Sequence, residues 1–243
     1  MGAFPGHDEV PSNSYHIPLA YNGRASSVVI SGVPIIRPWG YIPTPDGPKF
    51  QPTQKMDFEV EMGIFIAKPL DIGEAVPASQ ARDHIFGMVL LNDWSARDIK
   101  FYEMVPLGPF NGKACGTSIS PWIVTLDALE EAGAVIDVEA GKLPGRHSKS
   151  LFAQSKLKHL HWSPLQMVAH QSSAGCGLNS GDLLCTGTMS STEQQASEDG
   201  VLAGTGRSGC LQEATKNAKH PLPLENGQKL IWIEDGDEVV MEA

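Results

Sequence analysis

Apolar and polar residues alternate over residues 56–66. Met56, Phe58, Val60, Met62 and Ile64 fall on one face of an extended chain, and Asp57, Glu59, Glu61 and Gly63 on the other. A period of two predicts a strand. Residues 85–92 (IFGMVLLN) are almost continuously apolar, as expected of a strand covered on both faces. Residues 26–34 (SSVVISGVP) predict a strand ending near Gly32. Residues 182–188 and 229–234 predict two more, and Asp235-Gly236 between apolar runs is a hairpin signal. Helical signals are short: residues 79–83, residues 125–132, and a segment opened by Ser163 as N-cap and Pro164 as first helical residue, with Gly175 as its stop. Residues 34–52 hold Pro38, Pro43, Pro45 and Pro48 between two flanking prolines and read as an irregular surface excursion. Residues 90–124 read as strand, loop and strand, with charged side chains on the loop. Residues 130–154 show no clear period, and residues 190–209 are polar, rich in Gly and Ser, and read as loop.

Composition narrows the class. The 243 residues are 41% hydrophobic and 19% charged, which predicts a globular chain that buries a sizeable core. Twenty-five Gly and 18 Pro punctuate many short segments, which favours a β-rich α+β fold. A net charge of −10, from 28 acids against 18 Lys and Arg, argues against nucleic acid or an anionic membrane as partner. No apolar run approaches the ~20 residues that span a bilayer, and the N-terminal residues lack the charged and apolar regions of a signal peptide. Cys115, Cys176, Cys185 and Cys210 form no CxxC pair and have no His at zinc-like spacing; they read as reduced thiols of a cytoplasmic protein.

Glu59 and Glu61 leave one strand face roughly 7 Å apart and repel unless a cation or water lies between them. Oxygen-only ligands favour Mg²⁺, Ca²⁺ or Mn²⁺. The other reading is an amphipathic strand with its acidic face in water. Asp93 ends a buried strand and needs a partner: a cap, an ion pair with Arg97, or a cation. Lys113, between Gly112 and Gly116, is either an ordinary surface Lys or a ligand contact. Thr188 is a turn hydroxyl and Glu213 an exposed loop acid by default. His16, His84 and His170 lack triad-like spacing and read as structural.

Several motifs are more specific than spacing. NDWSARDI (residues 92–99), VPLGPFNGK (105–113), GTSISPW (116–122) and HIPLAYNGRASSVVISGVPI (16–35) resemble the fumarylacetoacetase branch of the fumarylacetoacetate hydrolase family. So do HLHW (159–162) and LQMVAHQSSAGCGLNSGDLLCTGT (165–188). The resemblance implies a mixed β-sandwich roll with a few short helices, with residues 1–243 forming one C-terminal-like domain without the family's small N-terminal domain. It implies metal-dependent hydrolysis of the carbon–carbon bond of 4-fumarylacetoacetate, a β-diketo acid of tyrosine and phenylalanine catabolism, to fumarate and acetoacetate. It implies Mg²⁺ and/or Ca²⁺ and a homodimer. Carried over residue by residue, Glu59, Glu61 and Asp93 are metal ligands, with Lys113, Gly116 and Thr117 on a loop that helps bind a second cation. Tyr21, Arg97, Lys113 and Thr188 contact substrate, and Glu213 orients a catalytic His. Arg97 and Lys113 are expected to stabilise an oxyanion and an enolate while adding little to fold stability.

The chain also departs from the family pattern. The family's fourth metal Asp, a substrate Tyr and the catalytic His belong to a segment that would precede Met1. Lys100 stands in place of a Gln and Met104 in place of a Tyr, and the chain stops at Ala243, before the family's final strands. The expectation is a chain truncated at both ends, with little activity alone. Two alternatives stand beside it: a non-catalytic member that binds metal or pairs with a full-length subunit, and another β-keto acid hydrolase or decarboxylase.

Overall fold

The apolar run at residues 85–92 forms the longest strand, and the strands Val60–Ile66 and Thr117–Ile119 pair to it directly. The computed structural model describes residues 12–134, 157–191, 208–224 and 227–242. Its strands are β1 (Val28–Ile30), β2 (Trp39–Ile42), β3 (Lys49–Pro52), β4 (Met56–Asp57), β5 (Val60–Ile66), β6 (Ile85–Asp93), β7 (Ser95–Ala96), β8 (Thr117–Ile119), β9 (Val124–Thr125), β10 (Leu183–Cys185), β11 (Leu222–Pro223) and β12 (Lys229–Leu230). The main sheet runs β1-β8-β6-β5-β10, with β9 also paired to β6. β1 and β8 are parallel and the other pairs antiparallel, so the sheet is mixed. Four short α-helices are described: α1 (Arg97–Tyr102), α2 (Leu126–Glu131), α3 (Pro164–Ser172) and α4 (Leu211–Ala214). The β-rich α+β expectation holds. Among the described residues no helix is long and apolar enough to cross a membrane.

The core gathers where α2 and α3 meet the far half of the β5–β6 pair: Ile64, Ile66, Val76, Ala81, Ile85, Leu126, Val168 and Leu178 are buried together. A smaller cluster, Ile42, Ala96 and Ile99, seats α1 under the β2–β3 hairpin. Gly40 permits this contact, because a Cβ there would meet Ile99 Cγ2 at 2.6 Å.

Helix signals outside the site were legible. Ser163 accepts the Gln166 N–H while the Gln166 side chain accepts the Ser163 N–H, a complete capping box, and Pro164 opens α3. Ser163→Ala should therefore lower stability by about 1 kcal/mol in chemical denaturation. An unchanged midpoint would show that packing alone holds this helix.

Five expectations need correction. The helix expected at residues 79–83 is a 3-10 turn, Ala81–His84. The excursion at residues 34–52 holds the β2–β3 hairpin, whose Gly40 and Ile42 face inward while Trp39, Tyr41 and Phe50 cover the outer face. The strand expected at residues 56–66 is two strands: β4 turns away to pair β7, and β5 pairs β6. The segment at residues 90–124 contains α1, which no apolar period announced because charged residues of this helix point inward. Residues 182–188 and 229–234 keep only short paired cores, and Asp235-Gly236 is a turn without paired strands beside it. Most of residues 130–154 and 190–209 lie outside the described residues.

Candidate functional site

The acidic face of the 56–66 segment is buried. β5 lies between β6 and β10, so both its edges are paired, and Glu61 on its acidic face is 2% exposed. Registering Val60 against Asn92 sets Glu59 beside Asp93, whose N–H donates to the Glu59 carbonyl at 3.2 Å. One carboxylate oxygen from each of Glu59, Glu61 and Asp93 lies within 4.8 Å of the others, and all three residues are buried. The reading of these acids as a water-facing strand edge is thus overturned.

Buried like charges need counter-charges. Lys113, 4% exposed and not the surface residue of the simpler reading, places Nζ 2.5 Å from both Glu59 Oε2 and Asp93 Oδ2 and donates to Ser95 Oγ at 2.6 Å. It reaches them from a 3-10 turn, Asn111–Lys113, set against α1. A Cβ on Gly112 would lie 2.5 Å from the Lys100 backbone N, so only glycine allows that approach. The Gly112 N–H also donates to Glu103 Oε2 at 3.0 Å. Arg97, 4% exposed, donates from Nη1 to Glu59 Oε1 at 2.6 Å and from Nε to Asp57 Oδ2 at 2.8 Å. Arg97 therefore pairs with Asp57 and Glu59, and the partners of Asp93 are Lys113 and the Tyr21 hydroxyl, which donates at 2.6 Å. Lys100 Nζ stands 3.9 Å from Glu59 Oε1 and remains partly exposed.

The charges act on one another strongly. Burial alone would raise the Glu59 pKa, but Lys113, Arg97 and Lys100 outweigh it and hold the carboxyl below its usual range. Glu61 is pushed well above its usual range by burial and by the neighbouring Asp93 and Glu59. Burial is opposed at Lys113 by Glu59, Asp93 and Glu61, which hold it protonated. Burial lowers Lys100, with Glu59 opposing.

These residues fit a hard divalent cation. The donors are oxygens only, and Asp93 Oδ1 is buried without a hydrogen-bond donor. Asp93→Asn should weaken Mg²⁺ or Ca²⁺ binding by about tenfold or more in calorimetric titration. An unchanged isotherm removes Asp93 from the site.

The remaining candidates lie at different distances from the triad. Tyr21 and Lys113 border a cavity of about 430 Å³, lined also by Asn22, Arg24, Phe110 and Asn111. Thr117 faces Asp93 across the β6–β8 register, and Gly116 lets Ile35 pack against the loop, at 2.6 Å from where its Cβ would be. Thr188 is half-buried against Gly209, and the residue that meets the triad on this segment is Gly187, whose N–H donates to Glu61 Oε2 at 3.0 Å. Glu213 is half-buried in α4, not an exposed loop acid; it accepts from the Ser190 hydroxyl and from the Gly209 N–H at 3.2 Å. Sequence reasoning missed Asp57, Ser95 and Gly187 as partners. Only Asp57 carried a signal, its place on the acidic face of the alternation.

A family profile described as fumarylacetoacetate (FAA) hydrolase C-terminal matches residues 4–243. The chain is 40% identical to the fumarylacetoacetase of Emericella nidulans, over 99% of this chain and 60% of that protein. It is 43% identical to the fumarylacetoacetase of Arabidopsis thaliana, over 95% of this chain and 58% of that protein. The chain thus spans about three-fifths of the length of these relatives. The solved fumarylacetoacetate hydrolase of Exiguobacterium antarcticum superposes with a TM-score of 0.45 at 23% identity, covering 73% of this chain and 56% of that one.

Proposed function

The chain belongs to the fumarylacetoacetate hydrolase family, and on that premise we propose that it hydrolyses the carbon–carbon bond of 4-fumarylacetoacetate to fumarate and acetoacetate, with Mg²⁺ or Ca²⁺ on Glu59, Glu61 and Asp93. One unsatisfied atom in the buried cluster carries this reading: Asp93 Oδ1 is an acceptor without a donor, which suits a cation.

A bound cation would polarise the diketone oxygens as a Lewis acid. Arg97 and Lys113 donate to the oxygen on which charge develops as the enolate of acetoacetate departs. Tyr21, on the cavity wall and held by Asp93, contacts and orients the substrate. Water supplies hydroxyl to the acyl carbon, which becomes a fumarate carboxylate, and a proton to the departing carbon. In this reading Glu213 orients the base that activates the water, and Gly116, Thr117 and Thr188 complete the second cation loop and the substrate contacts. Four carboxylates, counting Asp57, face three cations in the cluster and leave a formal charge of −1, which a divalent cation turns to +1. The loaded site then favours an anionic substrate. The homodimer belongs to the same reading and is tested by light scattering.

Incubating the purified chain with 4-fumarylacetoacetate and Mg²⁺ or Ca²⁺, and following fumarate and acetoacetate by NMR, tests the proposal. Ion binding without either product would favour the non-catalytic alternative. Lys100 provides a second test. Its partly exposed pairing with Glu59 is worth roughly 0.2–1 kcal/mol. Lys100→Gln should therefore change stability by no more than about 1 kcal/mol, while removing a positive charge beside the site should raise KM for the anionic substrate. An unaltered KM places Lys100 outside the substrate path.

A further inference from the structure

Asp57 is fully buried and stands outside the carboxylate triad, yet it has the most donors of any acid in the cluster. Its Oδ2 accepts from Arg97 Nε at 2.8 Å and from the Gln212 N–H at 3.0 Å, and its Oδ1 accepts from the Leu211 N–H at 2.7 Å. Arg97 Nη2 also lies 2.8 Å from Oδ2, off the line of its N–H bonds, so it adds charge pairing without a hydrogen bond. The Leu211 and Gln212 amides open α4, the four-residue helix that carries Glu213. That helix has no cap of its own, since the Cys210 side chain makes no capping bond. A carboxylate more than 150 residues earlier in the chain caps it instead.

The second tie is to α1. Two of the three terminal nitrogens of Arg97 face Asp57, which leaves Nη1 aimed at Glu59 Oε1. The direction of the guanidinium towards the triad is therefore set by Asp57. Without that hold, Arg97 has Glu59 as its one remaining acid and competes more strongly with any cation for the Glu59 oxygens.

We propose that Asp57 is a positioning residue that couples the two arms of the site, fixing Arg97 with one set of donors and the Glu213 helix with the other, so that neither arm shifts without the other. The inference about affinity rests on the metal reading above; the coupling of the arms does not.

Asp57→Asn keeps the volume and removes the charge. Two readouts apply to the folded protein: deuterium exchange of peptides covering residues 97–102 and 209–215, and Mn²⁺ binding by calorimetry. Exchange should quicken by about tenfold or more at residues 209–215, where two amides lose a charged acceptor, and should quicken also at residues 97–102, where the Arg97 side chain loses its hold. Mn²⁺ should bind about 10- to 100-fold more weakly, the usual effect of losing a residue that orients ligands. Faster exchange confined to residues 209–215, with Mn²⁺ affinity unchanged, would reduce Asp57 to a helix cap and overturn the proposal. Arg97→Lys decides the matter if Asp57→Asn does not fold. A lysine keeps the charge but cannot fill both Asp57 and Glu59, so residues 209–215 should exchange faster although Arg97 donates no hydrogen bond to them. Unchanged exchange there would overturn the coupling. If the unaltered chain takes up no Mn²⁺, the metal reading falls, and the exchange measurements still decide the coupling.

Discussion

Replacing Arg97 by alanine should cost the fold about 3–5 kcal/mol, because it leaves Asp57 and Glu59 buried with a counter-charge removed. Urea denaturation of the chain without added metal would show this as a lower midpoint at a similar slope. The effect contrasts with the expectation from sequence that Arg97 serves substrate charge alone and adds little to stability. All three guanidinium nitrogens face the buried acids: Nε and Nη1 by hydrogen bonds to Asp57 and Glu59, and Nη2 by charge pairing with Asp57 at 2.8 Å. A midpoint within about 0.5 kcal/mol of the unaltered chain would mean that the two acids find other partners or take up protons.

Lys113→Met should show an effect of similar size with a different remedy. The ammonium bridges Glu59 and Asp93 at 2.5 Å each, and removing it leaves the triad without its nearest cation. The apo variant should lose about 3–5 kcal/mol. A divalent cation on the triad would replace that charge and take a Glu59 oxygen that Arg97 or Lys113 otherwise holds, so the variant should recover about 2.7 kcal/mol at an ion concentration one hundred times its Kd. In the unaltered chain the ion must displace an ammonium already present from the oxygens it holds. The gain in unfolding free energy at a given ion concentration should therefore be larger in Lys113→Met. Equal gains in the two proteins would show that the ion and Lys113 do not share oxygens.

The triad was legible because a strand has a period of two. Glu59 and Glu61 had to share a face, and the all-apolar run before Asp93 had to end at the same depth. Which face was buried was not legible. An acidic face turned inward has the same alternation as one turned to water, and only the groups packed on it, Lys113, Arg97 and Tyr21, decide between them. α1 was hidden for a related reason: Arg97 and Asp98 are buried in its first turn, so no apolar stripe marks it. The hairpin in the proline-rich stretch was missed because its prolines sit at the strand end and in the connection, where they do not interrupt the pairing of Trp39–Ile42 with Lys49–Pro52. Spacing alone favoured a surface residue at Lys113, which the structure buries against Glu59 and Asp93, since nothing local shows that a turn will lay a lysine against two carboxylates.

Gly112 has a consequence for the energetics of the whole centre. By joining the Lys113 turn to α1 at backbone distance, it places Arg97, Lys100 and Lys113 on two packed elements of one segment, facing acids that all belong to strands or their ends. A displacement of that segment would alter every ion pair together. Losses measured for the three cations singly should not sum: once one substitution lets the segment retreat, the second finds part of its interaction already gone.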